Sequence, residues 1–145
     1  MTELVHGSCV VWPQGAVLLR GGSGAGKSDL ALRAIDLGAE LVADDQIWLR
    51  RDRDRVLAEP PPNLAGLIEV RGVGILAIGH RAPAPLVLVV DLVADELVER
   101  LPEPQSTELL GINLPLLRLS PWPASAAGKV RLAVQLAAGS IMAAS

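Results

Sequence analysis

The chain has 145 residues, half of them hydrophobic, with three tryptophans as its only aromatic residues and a formal net charge of −3 at pH 7. Without Phe or Tyr it lacks the platforms that stack single-stranded bases, and its slight acidity argues against nucleic acid as a partner. One cysteine, Cys9, excludes an internal disulfide and a cysteine-based metal site, and the most apolar run, "PLVLVVDLVA", is broken by Asp91, well short of the roughly 20 apolar residues a spanning helix needs.

"SCVVWPQGAVLLR" reads as a strand, a tight Pro-Gln-Gly turn and a second strand over residues 16–20. That strand runs straight into "GGSGAGKS", and an amphipathic helix is predicted next. Leu30, Ala31, Ala34 and Ile35 share one face of it, Asp29, Arg33 and Asp36 the other. Gly38 is placed to end this helix, because glycine accepts the left-handed conformation on which helices often stop. Three more strands follow, "ELVAD", "IWLR" and "RVLAE", with "RDRDR" as a solvated hairpin turn between the last two. "EPPPN" is a breaker, "LIEVRGVGILAIG" a glycine-rich stretch of branched residues, and "PLVLVVDLV" a buried strand too apolar to alternate. "LPEPQSTE" is a loop or strand lead-in, and "SAAGKVRLAVQLAAG" predicts a helix from near Ser125 to Gly139. The expected class is α/β, a mixed sheet with flanking helices in a single domain over residues 1–145. The N-terminus has no basic stretch ahead of an apolar one, so a cytoplasmic protein without a signal peptide is expected, working without a membrane.

"GGSGAGKS" fits the pattern glycine, four residues, Gly-Lys-Ser, with Gly21, Gly26, Lys27 and Ser28 at the defining places and Gly22, Ser23, Gly24 and Ala25 between them. Glycines let backbone amides turn toward phosphate oxygens, and the following helix adds its positive end. Lys27 offers a mobile cation to the terminal phosphates, and the Ser28 hydroxyl is a ligand for Mg²⁺. The motif predicts phosphate binding and leaves the reaction open.

Phosphoryl transfer also needs a carboxylate at a strand end beside the loop, for the metal or for a proton. Asp91, ending "LVLVVD", is one such place; Asp44 and Asp45, ending "ELVADD" directly after the loop's helix, are the other. The pair is favoured because two adjacent carboxylates can divide the labour, one toward the metal and one toward an incoming hydroxyl. A solvated turn is the plainer reading of the same two residues.

"GGSGAGKSDLALRAIDLGAELVADD" resembles the phosphate-loop segment of bacterial HPr kinase/phosphorylase, and "IEVRGVGIL" resembles that family's Ile-Glu-Val-Arg-Gly-x-Gly-Ile signature. His6 and Gly7 match a His-Gly pair opening its catalytic domain, and "ELLGINLP" is similar to a late Leu-Gly-x-x-x-Pro element. The resemblance spans residues 5–78. It implies an ATP- and Mg²⁺-dependent protein serine kinase for HPr, the phosphocarrier of the sugar phosphotransferase system. It further implies phosphorolysis of phosphoserine as a reverse activity, a hexamer, and a fold close to phosphoenolpyruvate carboxykinase.

By position, the resemblance implies Lys27 on the phosphates, Ser28 and Glu69 on Mg²⁺, and Asp45 as the base that takes the serine proton, with Asp44 beside it. His6 would be an auxiliary group near Asp45, Arg71 part of the signature, and Arg100, in "ERLPE", an active-site arginine. Read without the family, His6 is a surface histidine and Glu69 and Arg71 a weak surface ion pair. His80 reads as surface. The family's late Pro-Val-Arg-Pro-Gly-Arg-Asn loop has no counterpart in "LLRLSPWPASAAGKVRLA", where Arg118, Lys129 and Arg131 are the basic residues. Kinase activity is therefore the expectation, and phosphorolysis is left open. Two other readings stand beside it: a P-loop small-molecule kinase or NTPase using Asp91, and a non-catalytic nucleotide-binding regulator.

Overall fold

A computed structural model describes residues 1–144. β1 (Thr2–Trp12) and β2 (Gly15–Arg20) form the expected antiparallel hairpin across Pro13 and Gln14. After the glycine-rich loop, α1 (Lys27–Asp36) leads to β3 (Glu40–Asp52) and β4 (Arg55–Glu59). A hairpin of β5 (Leu67–Val70) and β6 (Gly74–Ala77) follows, then β7 (Ala84–Leu92), β8 (Gln105–Leu109), β9 (Ile112–Leu119) and α2 (Ala126–Ala137).

Seven strands make one mixed sheet in the order β2-β1-β3-β4-β7-β9-β8, and β5 with β6 make a separate two-stranded one. β2 also pairs with β7 in parallel, so β2, β1, β3, β4 and β7 close into a ring. Side chains alternate between its two faces. One face gathers Cys9, Val11, Leu18, Val42, Ile47, Leu49, Val56 and Val89; the other gathers Val10, Trp12, Val17, Leu19, Leu88 and Val90 under α1 and α2. Leu30, Ala31 and Ala34 of α1, and Val130 and Val134 of α2, complete that second core. The small aliphatic residues that replace Phe and Tyr suit a closed ring, whose interior admits little bulk.

Gly38 ends α1 at φ 97°, and its N–H bonds Ile35 O at 3.0 Å while the Ala39 N–H bonds Ala34 O at 3.1 Å. This is the two-bond glycine stop the sequence predicts. α2 starts at Ser125 as its N-cap and stops ahead of Gly139, again as expected. The "RDRDR" turn is confined to Arg53 and Asp54, with Arg55 and Asp52 paired at 2.9 Å across the strands.

"ELVAD" and "IWLR" are not two strands but one. β3 runs unbroken through Asp44, Asp45 and Gln46 because these residues pair with Ser8, Gly7 and His6 of β1. Their poor intrinsic strand preference is overridden by that ladder. The β5–β6 hairpin lies against α1 and β3, with Ile68 buried and Val73, Ile75 and Ile78 exposed. No described helix is long and apolar enough to cross a membrane.

Candidate active site

The glycine-rich loop leaves the C-terminal end of β2 and enters α1 with Gly26 as N-cap. Gly26 sits at φ 91°, a conformation that favours glycine, and a Cβ there would lie 3.1 Å from Pro121 and 3.3 Å from Trp122, a tight fit. The N-cap makes no side-chain hydrogen bond, which leaves the first amides of α1 free for an acceptor from outside. Lys27 folds across the loop, donating from Nζ to Gly21 O at 2.7 Å and Gly22 O at 2.8 Å.

Ser28, in the first turn of α1, donates to Asp44 Oδ1 at 2.8 Å. The two sequence features flanking α1 therefore meet at a hydrogen bond. Ser8 donates to the same oxygen at 2.7 Å, from the position directly opposite Asp44 in the β1–β3 ladder. Asp44 is buried, and its Oδ2 takes no side-chain hydrogen bond. Arg131 Nε is the one described buried side-chain polar atom left without a partner, so Asp44 Oδ2 is not sealed in the interior.

Asp45 behaves differently. It is exposed, with φ 74°, and lies opposite Gly7. In a regular strand it would share the face of Ala43 and Ile47, which point into the core. The left-handed backbone breaks that alternation and lets the carboxylate reach solvent. Gly7 cannot be replaced without movement, since a Cβ would come within 2.6 Å of Leu19 O. His6, exposed and opposite Gln46, shares the strand face of Ser8 and Asp44 one step along the ladder. No hydrogen bond joins it to Asp45 among the described residues.

Asp91 is held by Arg20 through two bonds, Nε to Oδ1 at 2.7 Å and Nη2 to Oδ2 at 3.2 Å. Both its oxygens face a guanidinium, and neither is hydrogen-bonded to Ser28 or Lys27. Glu69 is exposed on β5, Arg71 is exposed in the β5–β6 turn, and Arg100 is exposed between β7 and β8; none makes an ion pair among the described residues. The fold thus unites the loop, Lys27, Ser28 and Asp44, with Asp45 and His6 adjacent along the β1–β3 ladder, and among the described residues no hydrogen bond or ion pair joins Glu69, Arg71 or Arg100 to them. No three described His, Cys, Asp or Glu side chains cluster as a metal site, and the Ser28 hydroxyl and Asp44 Oδ1 lie 2.8 Å apart.

Two contributors escape a reading of the sequence. Ser8 looks like an ordinary strand residue until β1 is known to pair with β3. Arg33 looks like a solvent-facing helix charge, yet it bonds Asp29 at 3.0 Å, Pro123 O at 3.3 Å and Pro121 O. It thereby pins the segment carrying the exposed Trp122 against the loop.

The model of the HPr serine kinase C-terminal domain matches residues 1–120. The HPr kinase/phosphorylase of Enterococcus faecalis is 34% identical over 146 aligned residues, covering 92% of this chain and 46% of that protein. That of Shouchella clausii is 44% identical over 75 residues, covering 51% of this chain and 24% of that protein. That of Burkholderia cenocepacia is 42% identical over 109 residues, covering 68% and 34%. The chain thus spans from about a quarter to about half of these curated relatives. Among solved structures, the Hpr(Ser) kinase/phosphatase from Coxiella burnetii superposes with a TM-score of 0.80 at 26% identity, covering 92% of this chain and 94% of that one. A match through most of the sequence and a shared mixed α/β architecture agree: the chain belongs to the HPr serine kinase C-terminal domain family.

Proposed function

We propose that the chain is an ATP- and Mg²⁺-dependent protein serine kinase that phosphorylates HPr or an HPr-like phosphocarrier. In this reading, residues 1–145 are one catalytic domain, with a P-loop at the edge of a sheet of the phosphoenolpyruvate carboxykinase type. The carrying observation is the 2.8 Å hydrogen bond from Ser28 to Asp44, which joins the loop to the double Asp. The names of the relatives supply the substrate.

Residues Gly21, Gly22, Ser23, Gly24, Ala25 and Gly26 and the first amides of α1 cradle the phosphates, and Lys27 leaves the loop carbonyls to pair with them. Ser28 and Asp44 are hard oxygen donors, the chemistry that suits Mg²⁺, and Glu69 on the neighbouring hairpin adds a third. When bound, Mg²⁺ neutralises charge across the terminal phosphate oxygens. Asp45 accepts the proton of the incoming serine hydroxyl, and its exposure lets a protein substrate reach it. His6 assists beside it, and Arg71 and Arg100 offer cations to the phosphates or to the carrier.

Phosphorolysis would run through the same Asp45: inorganic phosphate would attack the phosphoserine phosphorus, the bond to the serine oxygen would break to leave pyrophosphate, and Asp45 would return a proton to that oxygen. The family's arginine-rich late loop is absent, with Pro121, Trp122 and Pro123 in this region, so the kinase direction is the one the proposal rests on. A cytoplasmic homo-oligomer, a hexamer by family resemblance, completes the proposal. The Asp91-centred reading is disfavoured by the bidentate grip of Arg20.

The test is transfer of labelled γ-phosphate from ATP to a serine of HPr in the presence of Mg²⁺. Wild type should transfer it, and Asp45→Ala should not, with ADP affinity retained. Undiminished transfer by Asp45→Ala overturns the base. Nucleotide binding without transfer to any phosphocarrier favours a regulator instead.

A further inference from the structure

Ser8 and Ser28 converge on one carboxylate oxygen, at 2.7 and 2.8 Å from Asp44 Oδ1. The two donors differ in setting. Ser28 is partly exposed in the first turn of α1, whereas Ser8 is 1% exposed and fixed opposite Asp44 in the sheet. Two donors fill both lone-pair positions of Oδ1 and leave those of Oδ2 for the site. Asp44 has no other side-chain partner and no cation in contact. Its orientation is therefore set from the sheet side by Ser8 alone.

We propose that Ser8 is a positioning residue for the cation, acting through Asp44 on Ser28. With the carboxylate plane locked by Ser8, Asp44 accepts the Ser28 proton along one direction. A hydroxyl whose proton is committed in one direction presents its lone pairs in another, here away from Asp44 and toward the loop. Outer partners of this kind fix the ligand that touches a metal and tune its affinity. Without Ser8, the buried carboxylate keeps one of its two bonds and is free to turn, and Ser28 turns with it. This inference rests on the ATP and Mg²⁺ reading above.

The test compares ADP affinity by calorimetry in Mg²⁺ and in EDTA, for wild type, Ser8→Ala, Ser8→Thr, Asp44→Asn and the Ser8→Ala/Asp44→Asn pair. Ser8→Ala should reduce the enhancement of ADP affinity by Mg²⁺ about tenfold, with the affinity in EDTA unchanged. Ser8→Thr, which keeps the hydroxyl, should restore the enhancement, and Ser8→Ala should add nothing once Asp44 is Asn. Should Ser8→Ala not fold, Ser8→Cys keeps the volume with a weaker donor and should show the same loss. An unchanged enhancement, or an equal loss in Mg²⁺ and EDTA, overturns the inference while the functional reading stands. If wild type binds no ADP under either condition, that reading falls and the inference falls with it.

Discussion

Arg20 grips Asp91 through two parallel hydrogen bonds, at 2.7 and 3.2 Å, from directly paired positions at the ends of β2 and β7. Arg20 is also the residue immediately before Gly21, so this ion pair ties the start of the loop to the neighbouring strand. A carboxylate whose two oxygens already face a guanidinium is a structural partner, not an open metal ligand.

Asp91→Asn should therefore leave phosphate transfer within a few-fold of wild type. It should lower stability by only about 1 kcal/mol, since both side chains are 31% exposed and water screens the pair. Chemical denaturation and the transfer assay check the two halves. Loss of transfer with ADP affinity retained would revive Asp91 as the working acid and remove the double Asp from that role.

Asp44 and Asp45 are neighbours in sequence and opposites in structure: one is buried between two serines, the other is exposed at φ 74°. A non-glycine residue in that left-handed region carries backbone strain, which glycine would not. Asp45→Gly should therefore stabilise the fold by about 1 kcal/mol, raising the melting midpoint by about 2–4 °C, while abolishing transfer. The opposite signs distinguish a catalytic group from a structural one. A melting midpoint that falls in Asp45→Gly would show that the carboxylate supports the fold.

The features written locally were legible in the sequence, and the features made by distant pairing were not. The strand, loop and helix around Lys27 declare themselves through glycines at fixed offsets, and Gly38 and Gly139 mark both helix ends. The closure of the ring through β2 and β7, and the unbroken course of β3, depend on partners far along the chain. No window of residues contains that information. The same limit hid Ser8, whose contact with Asp44 spans 36 positions, and Arg33, whose acceptors lie about 90 positions on. It also explains why the sequence suggests that Asp44 and Asp45 divide the labour without showing how they part: one left-handed residue, inside a ladder set by β1, separates a buried carboxylate from an exposed one.

Cys9 offers a pH test of the inner core. It is fully buried among aliphatic side chains, and burial pushes its thiol well above the ordinary value of 9.0 because a thiolate there would be unsolvated. The unfolded chain, by contrast, ionises near that ordinary value. Above pH 9 the unfolded state thus sheds a proton that the folded state keeps, and the balance moves toward unfolding. The contribution is complete below pH 9.0 and is lost as pH rises toward the folded value, with a limiting slope of about 1.4 kcal/mol per pH unit. Urea unfolding from pH 7.5 to 10.5 should show wild type losing stability faster than Cys9→Ala. The variant, less stable near neutrality through its lost packing, should draw level as pH rises. Parallel curves would mean that the Cys9 thiol ionises as easily folded as unfolded, and the closed aliphatic ring around it would have to be reconsidered.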